Sequence, residues 1–317
     1  MIRLAVVGTG SIGLEHIRAM EQTDVCGLAA VCDCREEVAA SIGGRFGVPW
    51  TTDYRKLPAL VEADAVILNL PHHLHEESTA FFLEQGWHVL VEKPMAVTVE
   101  ACERMRQQAQ RSGRRLAVGH VQRFFEANRR IREWIASGRF GELCMIEERR
   151  TIDYFDPSRP HWFLNRAEAG GGIVMNYGAH ILDKLFWLLS ERPDTIASAG
   201  GNRKTADDIE GHAQFLLKFP SGIGAAVTFC GYGPSGYETT YYFTKGTVRV
   251  QNGTRLSYTE DGNWQTVDCT PDRSIFVRQL EEFCRYIQGQ PTDIADGAYG
   301  RDVLEAITAI YRSARIR

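Results

Sequence analysis

Ile2-Arg3-Leu4-Ala5-Val6-Val7-Gly8-Thr9-Gly10-Ser11-Ile12-Gly13, answered downstream by Val31-Cys32-Asp33, is the stretch whose reading decides the fold. The apolar, Val-rich run predicts a buried parallel strand, the glycines a tight turn, and 14–23 a helix that crosses back to a second strand. Gly8 permits the turn, Gly10 lets backbone approach a pyrophosphate, and Gly13 lets the helix pack against the strand. Phosphate is thereby directed to a helix N-terminus whose N–H groups are free. Asp33, twenty residues beyond Gly13, is placed to accept hydrogen bonds from a ribose 2′-hydroxyl. A bare GxGxxG is weak, but strand, glycines, helix, second strand and terminal acid fall in register here, and together they predict a dinucleotide site.

At 317 residues the chain is long for one core and suits two domains. With 44% hydrophobic and 24% charged residues it has the composition of an ordinary soluble globular protein. A net charge of -4 gives no electrostatic reason to expect nucleic acid or an anionic membrane as partner. The eight cysteines are scattered without a CxxC pair or metal-ligand spacing, which predicts reduced thiols and no metal. Met1 leads directly into the first strand, with no room for a cleavable leader, and no apolar run approaches membrane-spanning length. A cytoplasmic location is expected.

The α/β rhythm continues with a helix over 36–46, an apolar strand over 65–70 ending at Pro71, a helix over 76–85, and a strand over 88–91 that delivers Glu92-Lys93-Pro94. A helix over 99–112 and a strand over 116–118 follow. Ligands bind beyond the carboxyl ends of strands in open parallel sheets, so 71–75, 92–94 and 119–123 are expected at the edge that carries the glycine turn. Beyond about residue 120 the pattern changes: a helix over 127–137, a strand over 143–151, an aromatic-rich loop, and a helix over 173–189 after Gly170-Gly171-Gly172. Short β segments from 195 to 267 predict a largely antiparallel sheet, and amphipathic helices over 274–288 and 298–313 close the chain. The predicted class is α/β: a Rossmann domain over 1–120, then an α+β domain over 121–317 with a large open sheet, its last helix free to pack back on the first domain.

The glycine turn, Pro71-His72-His73-Leu74-His75, Glu92-Lys93-Pro94, and Gly170-Gly171-Gly172 followed by Asn176, His180 and Asp183 resemble the Gfo/Idh/MocA oxidoreductases, the group of glucose-fructose oxidoreductase and inositol dehydrogenase. The resemblance runs to the closing 309–314. It implies hydride transfer between a nicotinamide and a sugar or cyclitol, a cis bond at Pro94, and pairing of copies through the open sheet. The implied cofactor contacts are Gly8, Thr9, Gly10, Ser11, Ile12, Gly13, Asp33, Pro71, His75, Glu92 and Lys93.

Oxidising a secondary alcohol requires a base for the hydroxyl proton as hydride leaves. Lys93, at a strand end on the cofactor edge, fits that role, although a lysine before proline is more often a solvated loop charge. Asn176, His180 and Asp183 fall at i, i+4 and i+7, one helical face, beside apolar residues. A satisfied polar patch is the plain alternative; the preceding glycines, which allow a ligand to approach, favour a site. The family usually has aspartate where Asn176 stands, so Asn176 orients a hydroxyl without serving as base, and Lys93 and His180 carry the proton. Phe163 replaces the family's frequent arginine, and His72 a common asparagine. His72, His73 and His75 lack the fourth ligand and spacing of a metal site. Asp153, Tyr154 and Tyr232 are candidate hydroxyl contacts. Arg149 and Arg150 alternate along a strand, so only one can face the site; Arg150 is the candidate for an anionic substrate, with ion pairing to Glu147 or Glu148 as the plainer role.

These residues predict an NAD-dependent oxidoreductase of a sugar, sugar derivative or inositol, with NADP admitted by Arg35, in a homo-dimer or homo-tetramer. Two rivals stand beside it: a glycosidase or lyase that oxidises and re-reduces its substrate on retained NAD, and a non-catalytic nucleotide-sensing regulator.

Overall fold

A computed structural model describes residues 1–203 and 208–316, and the chain divides into two compact units. The first comprises Met1–Val121 and Arg273–Leu304. Its strands β1 (Ile2–Val7), β2 (Cys26–Cys32), β3 (Trp50–Thr51), β4 (Ala65–Leu68), β5 (His88–Val91) and β6 (Leu116–Val118) are parallel. They lie in the order β6-β5-β4-β1-β2-β3, with the short strand Ala295–Asp296 antiparallel on the β6 edge. Because β1 pairs with β2 on one side and β4 on the other, the winding reverses between β1 and β4 and opens a crevice there. β1, β4 and β5 are buried almost throughout, as continuous apolar runs flanked by helices on both faces require.

The first helix spans Ser11–Met20, three residues earlier than its apolar pattern suggests. Leu14 N–H already bonds Gly10 carbonyl at 3.0 Å, so Ser11 to Gly13 form the opening helical turn rather than the end of the loop. The other helices of this unit follow their sequence signals closely. Val99–Ser112, for example, is capped by Thr98, whose hydroxyl accepts Ala101 N–H, and is stopped by left-handed Gly113.

The second unit comprises Gln122–Asp272 and Glu305–Arg317. The division expected at residue 120 therefore marks only the first crossing, and residues 273–304 return to the first unit. The reason is packing: Ala295–Asp296 covers the otherwise open β6 edge, and the helix Ile275–Ile287 sets Phe276 against His16 of the first helix, ring centres 4.9 Å apart.

The eight strands of the second unit are β7 (Leu143–Asp153), β8 (Thr195–Gly201), β9 (His212–Lys218), β10 (Gly224–Cys230), β11 (Tyr232–Phe243), β12 (Gly246–Gln251), β13 (Arg255–Thr259) and β14 (Trp264–Asp268), ordered β14-β13-β12-β11-β7-β10-β9-β8. All neighbours are antiparallel except β7 and β10. Ile146, Glu148 and Arg150 of β7 are buried on the face covered by the helix Ala179–Leu189, whose Lys184 bonds Glu148 at 2.5 Å. Met145, Leu216 and Trp264 lie on the other face and are exposed. Among the described residues no helix is long and apolar enough to cross a membrane.

Candidate functional site

In the first unit the loops after β1, β2, β4, β5 and β6 all leave the carboxyl edge of the sheet. Gly8 is left-handed (φ 82°), and a Cβ there would lie 2.3 Å from Asn69 carbonyl, so only glycine lets the loops after β1 and β4 meet at the crevice. A Cβ on Gly13 would lie 2.1 Å from Gly8 carbonyl. Gly10, by contrast, has nothing within 4 Å of a Cβ position. The helix that follows has no side-chain cap and no acidic residue in its first turn, so its opening N–H groups are left for an anion. Both amide atoms of Asn69 are buried without a hydrogen-bond partner. An uncapped helix start, an open Gly10 and an orphaned amide at the crevice fit a dinucleotide pyrophosphate.

Asp33 sits at the end of β2, its side chain 6% exposed. One carboxylate oxygen accepts the backbone N–H and the hydroxyl of Thr9, each at 3.0 Å, which ties the glycine turn to β2. Arg35 closes on both oxygens, Nε at 3.0 Å and Nη2 at 3.2 Å. Burial alone would raise the Asp33 pKa, but the Arg35 and Thr9 hydrogen bonds outweigh it and hold the carboxyl below its usual range.

Lys93 follows β5 and precedes a cis bond to Pro94. Glu92 accepts Lys93 backbone N–H at 3.1 Å and lies 3.3 Å from His16 Nε2. Its burial would raise its pKa; the His16 hydrogen bond and charge and the Lys93 charge prevail and lower it. A Cβ on Gly119 would lie 2.6 Å from Glu92 Oε1, which explains the glycine after β6. His75 is fully buried, with Nδ1 3.0 Å from Pro94 carbonyl and Nε2 2.8 Å from Leu70 carbonyl. It braces the loops after β4 and β5 from beneath and presents no surface to a ligand, unlike the contact expected of it. Burial drives its pKa down against the pull of the two carbonyls. Pro71 opens the short turn over His72–Leu74 and stays half-buried, and Ser11 and Ile12 are exposed.

In the second unit the predicted single helix over 173–189 is a π turn, Val174–Gly178, running into the α-helix Ala179–Leu189. Asn176 lies within the π turn, the kind of irregularity that widens a helix at functional sites. His180 is half-buried, its ring centre 6.3 Å from that of Tyr177. Asp183 does not extend this patch: it is fully buried in an ion pair with Arg123. The glycine run also has a different origin from ligand approach. A Cβ on Gly172 would lie 2.1 Å from Glu210 carbonyl, and one on Gly171 2.0 Å from the Tyr311 hydroxyl. Glu210 is buried and accepts Gly172 N–H at 2.9 Å, Val174 N–H at 2.9 Å and the Tyr311 hydroxyl at 2.7 Å, anchoring the start of the helix that carries Asn176 and His180.

The remaining candidates separate. Tyr154 is fully buried, its hydroxyl makes no hydrogen bond among the described residues, and burial raises its pKa, so it lies in the core beside the π turn rather than facing a ligand. The Tyr232 hydroxyl accepts Arg203 N–H at 2.8 Å and donates to Asn202 at 3.2 Å, while its ring stacks on Phe155. Asp153 is exposed at the end of β7. The ion pairs expected of Arg150 do not form: Glu148 is taken by Lys184 and Thr239, and Glu147 by the Tyr242 hydroxyl.

Residues 2–120 match the family described as "Oxidoreductase family, NAD-binding Rossmann fold", and residues 128–249 match "GFO/IDH/MocA C-terminal domain". The chain belongs to the Gfo/Idh/MocA oxidoreductases. Within that family it is 25% identical over 99% of its length, and 95% of the relative's, to D-glucoside 3-dehydrogenase of Escherichia coli. A 1-carboxy-3-chloro-3,4-dihydroxycyclo hexa-1,5-diene dehydrogenase of Comamonas testosteroni is 39% identical over 54% of this chain, which spans 43% of that relative. Among solved structures, the aldose-aldose oxidoreductase of Caulobacter crescentus superimposes with a TM-score of 0.91 at 25% identity, covering 99% of this chain and 97% of the other. As a Gfo/Idh/MocA chain it carries an NAD-binding Rossmann domain followed by a C-terminal domain with a large, mostly antiparallel sheet.

Sequence reasoning about this Gfo/Idh/MocA chain passed over Asn69, Glu210, Tyr311 and the Tyr177 and Tyr237 rings. Asn69 had a readable signal, a polar residue ending an apolar strand. Glu210 had none, because its partners at 172, 174 and 311 are brought to it only by tertiary folding.

Proposed function

We propose that this chain oxidises a secondary alcohol of a sugar, sugar derivative or inositol with NAD. The observation that carries the reading is the uncapped, glycine-lined helix start joined through Thr9 to Asp33 at the crevice between β1 and β4. The names of its relatives support the substrate class: one is D-glucoside 3-dehydrogenase, and another, from Ensifer adhaerens, is 1,5-anhydro-D-fructose reductase. When bound, NAD accepts the hydride released by the alcohol carbon. Gly10 and the backbone N–H groups after it hold the pyrophosphate, and Asp33 the ribose hydroxyl. Lys93 and His180 take up the hydroxyl proton. Asn176, with no carboxylate, orients the hydroxyl through its amide. The protein acts in the cytoplasm as a homo-dimer or homo-tetramer, and Arg35 gives it limited use of NADP.

The test is to screen polyols, sugar acids and nucleotide sugars for NADH production, then to measure Lys93→Ala and His180→Ala on the best substrate. Each variant is expected to lose on the order of a hundredfold in turnover with NAD binding nearly unchanged. The double variant should lose less than the product of the two, because the residues act as one unit. Near-wild-type turnover by Lys93→Ala would overturn the reading in favour of nucleotide sensing. A cleaved product without net NADH would move it to the retained-cofactor glycosidase or lyase.

A further inference from the structure

Arg150 is the one singled-out cation of the second unit whose place is not explained by the fold around it. It lies on β7 between Phe229 of β10 and Tyr237 of β11, and it is 8% exposed. Its guanidinium carbon is 4.8 Å from the centre of the Tyr177 ring and 4.3 Å from that of Tyr237. Among the described residues it makes no hydrogen bond and no ion pair, and its Nε is wholly buried without a partner. The neighbouring carboxylate on the same face, Glu148, pairs through Oε2 with Lys184 at 2.5 Å and with the Thr239 hydroxyl, while its Oε1 is buried and makes no hydrogen bond to Arg150. Ring faces attract the cationic charge but accept none of its five N–H donors in the manner of an oxygen. A buried charge with unmatched donors is strongly disfavoured unless an oxyanion completes it.

We infer that Arg150 completes itself with a carboxylate of the substrate, so that the sugar-type substrate is a sugar acid or a carboxylated cyclitol rather than a neutral polyol. The planar fork of a guanidinium matches a carboxylate through two parallel hydrogen bonds. Lys184 is paired with Glu148, which leaves the guanidinium of Arg150, with that of Arg159 on the neighbouring Tyr154 ring, to attract an anion. Tyr177 bridges the recognition to the chemistry. It touches Arg150 on one side and lies 6.3 Å from the His180 ring on the other, while its chain neighbour Asn176 carries the hydroxyl-orienting amide. The inference rests on the dehydrogenase reading above for the identity of the bound molecule, and on the geometry of the second unit alone for its charge.

Two measurements test it. Binding of a hexuronate, the matching neutral hexose and the matching sugar phosphate to the NADH-loaded protein is followed by calorimetry, for wild type and Arg150→Gln. The uronate should bind wild type at least tenfold tighter than either of the others, and Arg150→Gln should lose on the order of a hundredfold for the uronate alone. Turnover of the same compounds with NAD is then compared, and the variant's loss should fall on KM rather than kcat, with Arg150→Lys recovering part of it. Equal wild-type binding of uronate and hexose, or tighter binding of the phosphate, overturns the inference whatever the variant does. Arg150-dependent uronate binding without NADH production from any compound upholds the inference while overturning the dehydrogenase reading.

Discussion

Asp33 shows how one side chain is given two duties. Its carboxylate holds Thr9, and so shapes the glycine turn, while the same oxygens are the ones a ribose 2′-hydroxyl would use. The Arg35 side chain competes with a bound ribose for the Asp33 oxygens through its two guanidinium hydrogen bonds, and a guanidinium released from them is the natural donor to a 2′-phosphate. Asp33→Ser is therefore expected to raise the NADP-to-NAD ratio of kcat/KM by tenfold or more, and equal turnover of both cofactors by wild type would contradict the preference for NAD. Asn176→Asp restores a carboxylate beside Tyr154 in the π turn; the pH-rate profile of oxidation should shift, whereas an amide with a purely structural role would leave the profile in place. A third residue-scale effect concerns stability. His88 Nδ1 accepts Arg115 N–H at 2.8 Å, which requires the unprotonated nitrogen. Burial, then the charges of Arg114 and Arg115, push its pKa from 6.5 down to about 4. Between those values the unfolded chain binds the more protons, so this group withdraws stability as pH falls from 6.5 toward 4 and is silent above that window. Denaturant melts of His88→Gln should show a flatter pH dependence there.

At the scale of the element, the helix that carries Asn176 and His180 is held by its start. A run of three glycines reads equally as a ligand approach or as a packing necessity, because the sequence does not say what lies opposite. Opposite lie Glu210 and Tyr311, both distant along the chain. Gly172→Ala would drive a methyl group into Glu210 backbone, which cannot retreat as a flexible side chain can, and a loss of about 3 kcal/mol is expected in urea melts. Unchanged stability would return the glycines to the ligand-approach explanation. The π turn was likewise hidden, since five residues with helical apolar spacing look the same whether the backbone bonds i+4 or i+5. Strand positions in the first unit were legible because continuous Val, Ile and Leu runs have few other uses than a doubly covered parallel sheet.

For the whole molecule, the second unit's sheet presents one covered and one open face. Trp264 of β14 and Met145 of β7 fall in one lateral row of the register through Thr259, Thr247 and Tyr242, and Leu216 of β9 lies one row away beside Ala226. All three large apolar residues are about half exposed or more, at 47%, 50% and 60%. A second copy covering this face would remove them from water. Light scattering at micromolar concentration is expected to give at least a dimer mass, and Met145→Glu with Leu216→Glu to lower it toward one chain; a wild-type monomer would refute the assembly.

What the sequence determined by itself was local: the glycine turn with its terminal acid, the order of strands and helices, the Glu92-Lys93-Pro94 loop and the largely antiparallel second sheet. Each is written in contiguous residues, as period, turn chemistry or a fixed spacing. Tertiary structure decided the rest. It returned residues 273–304 to the first unit, withdrew His75, Tyr154 and Asp183 into the interior, and left Arg150 between two tyrosine rings without a carboxylate. Those outcomes depend on which distant side chain reaches a buried charge or amide first, a competition that burial makes decisive and that no local pattern records.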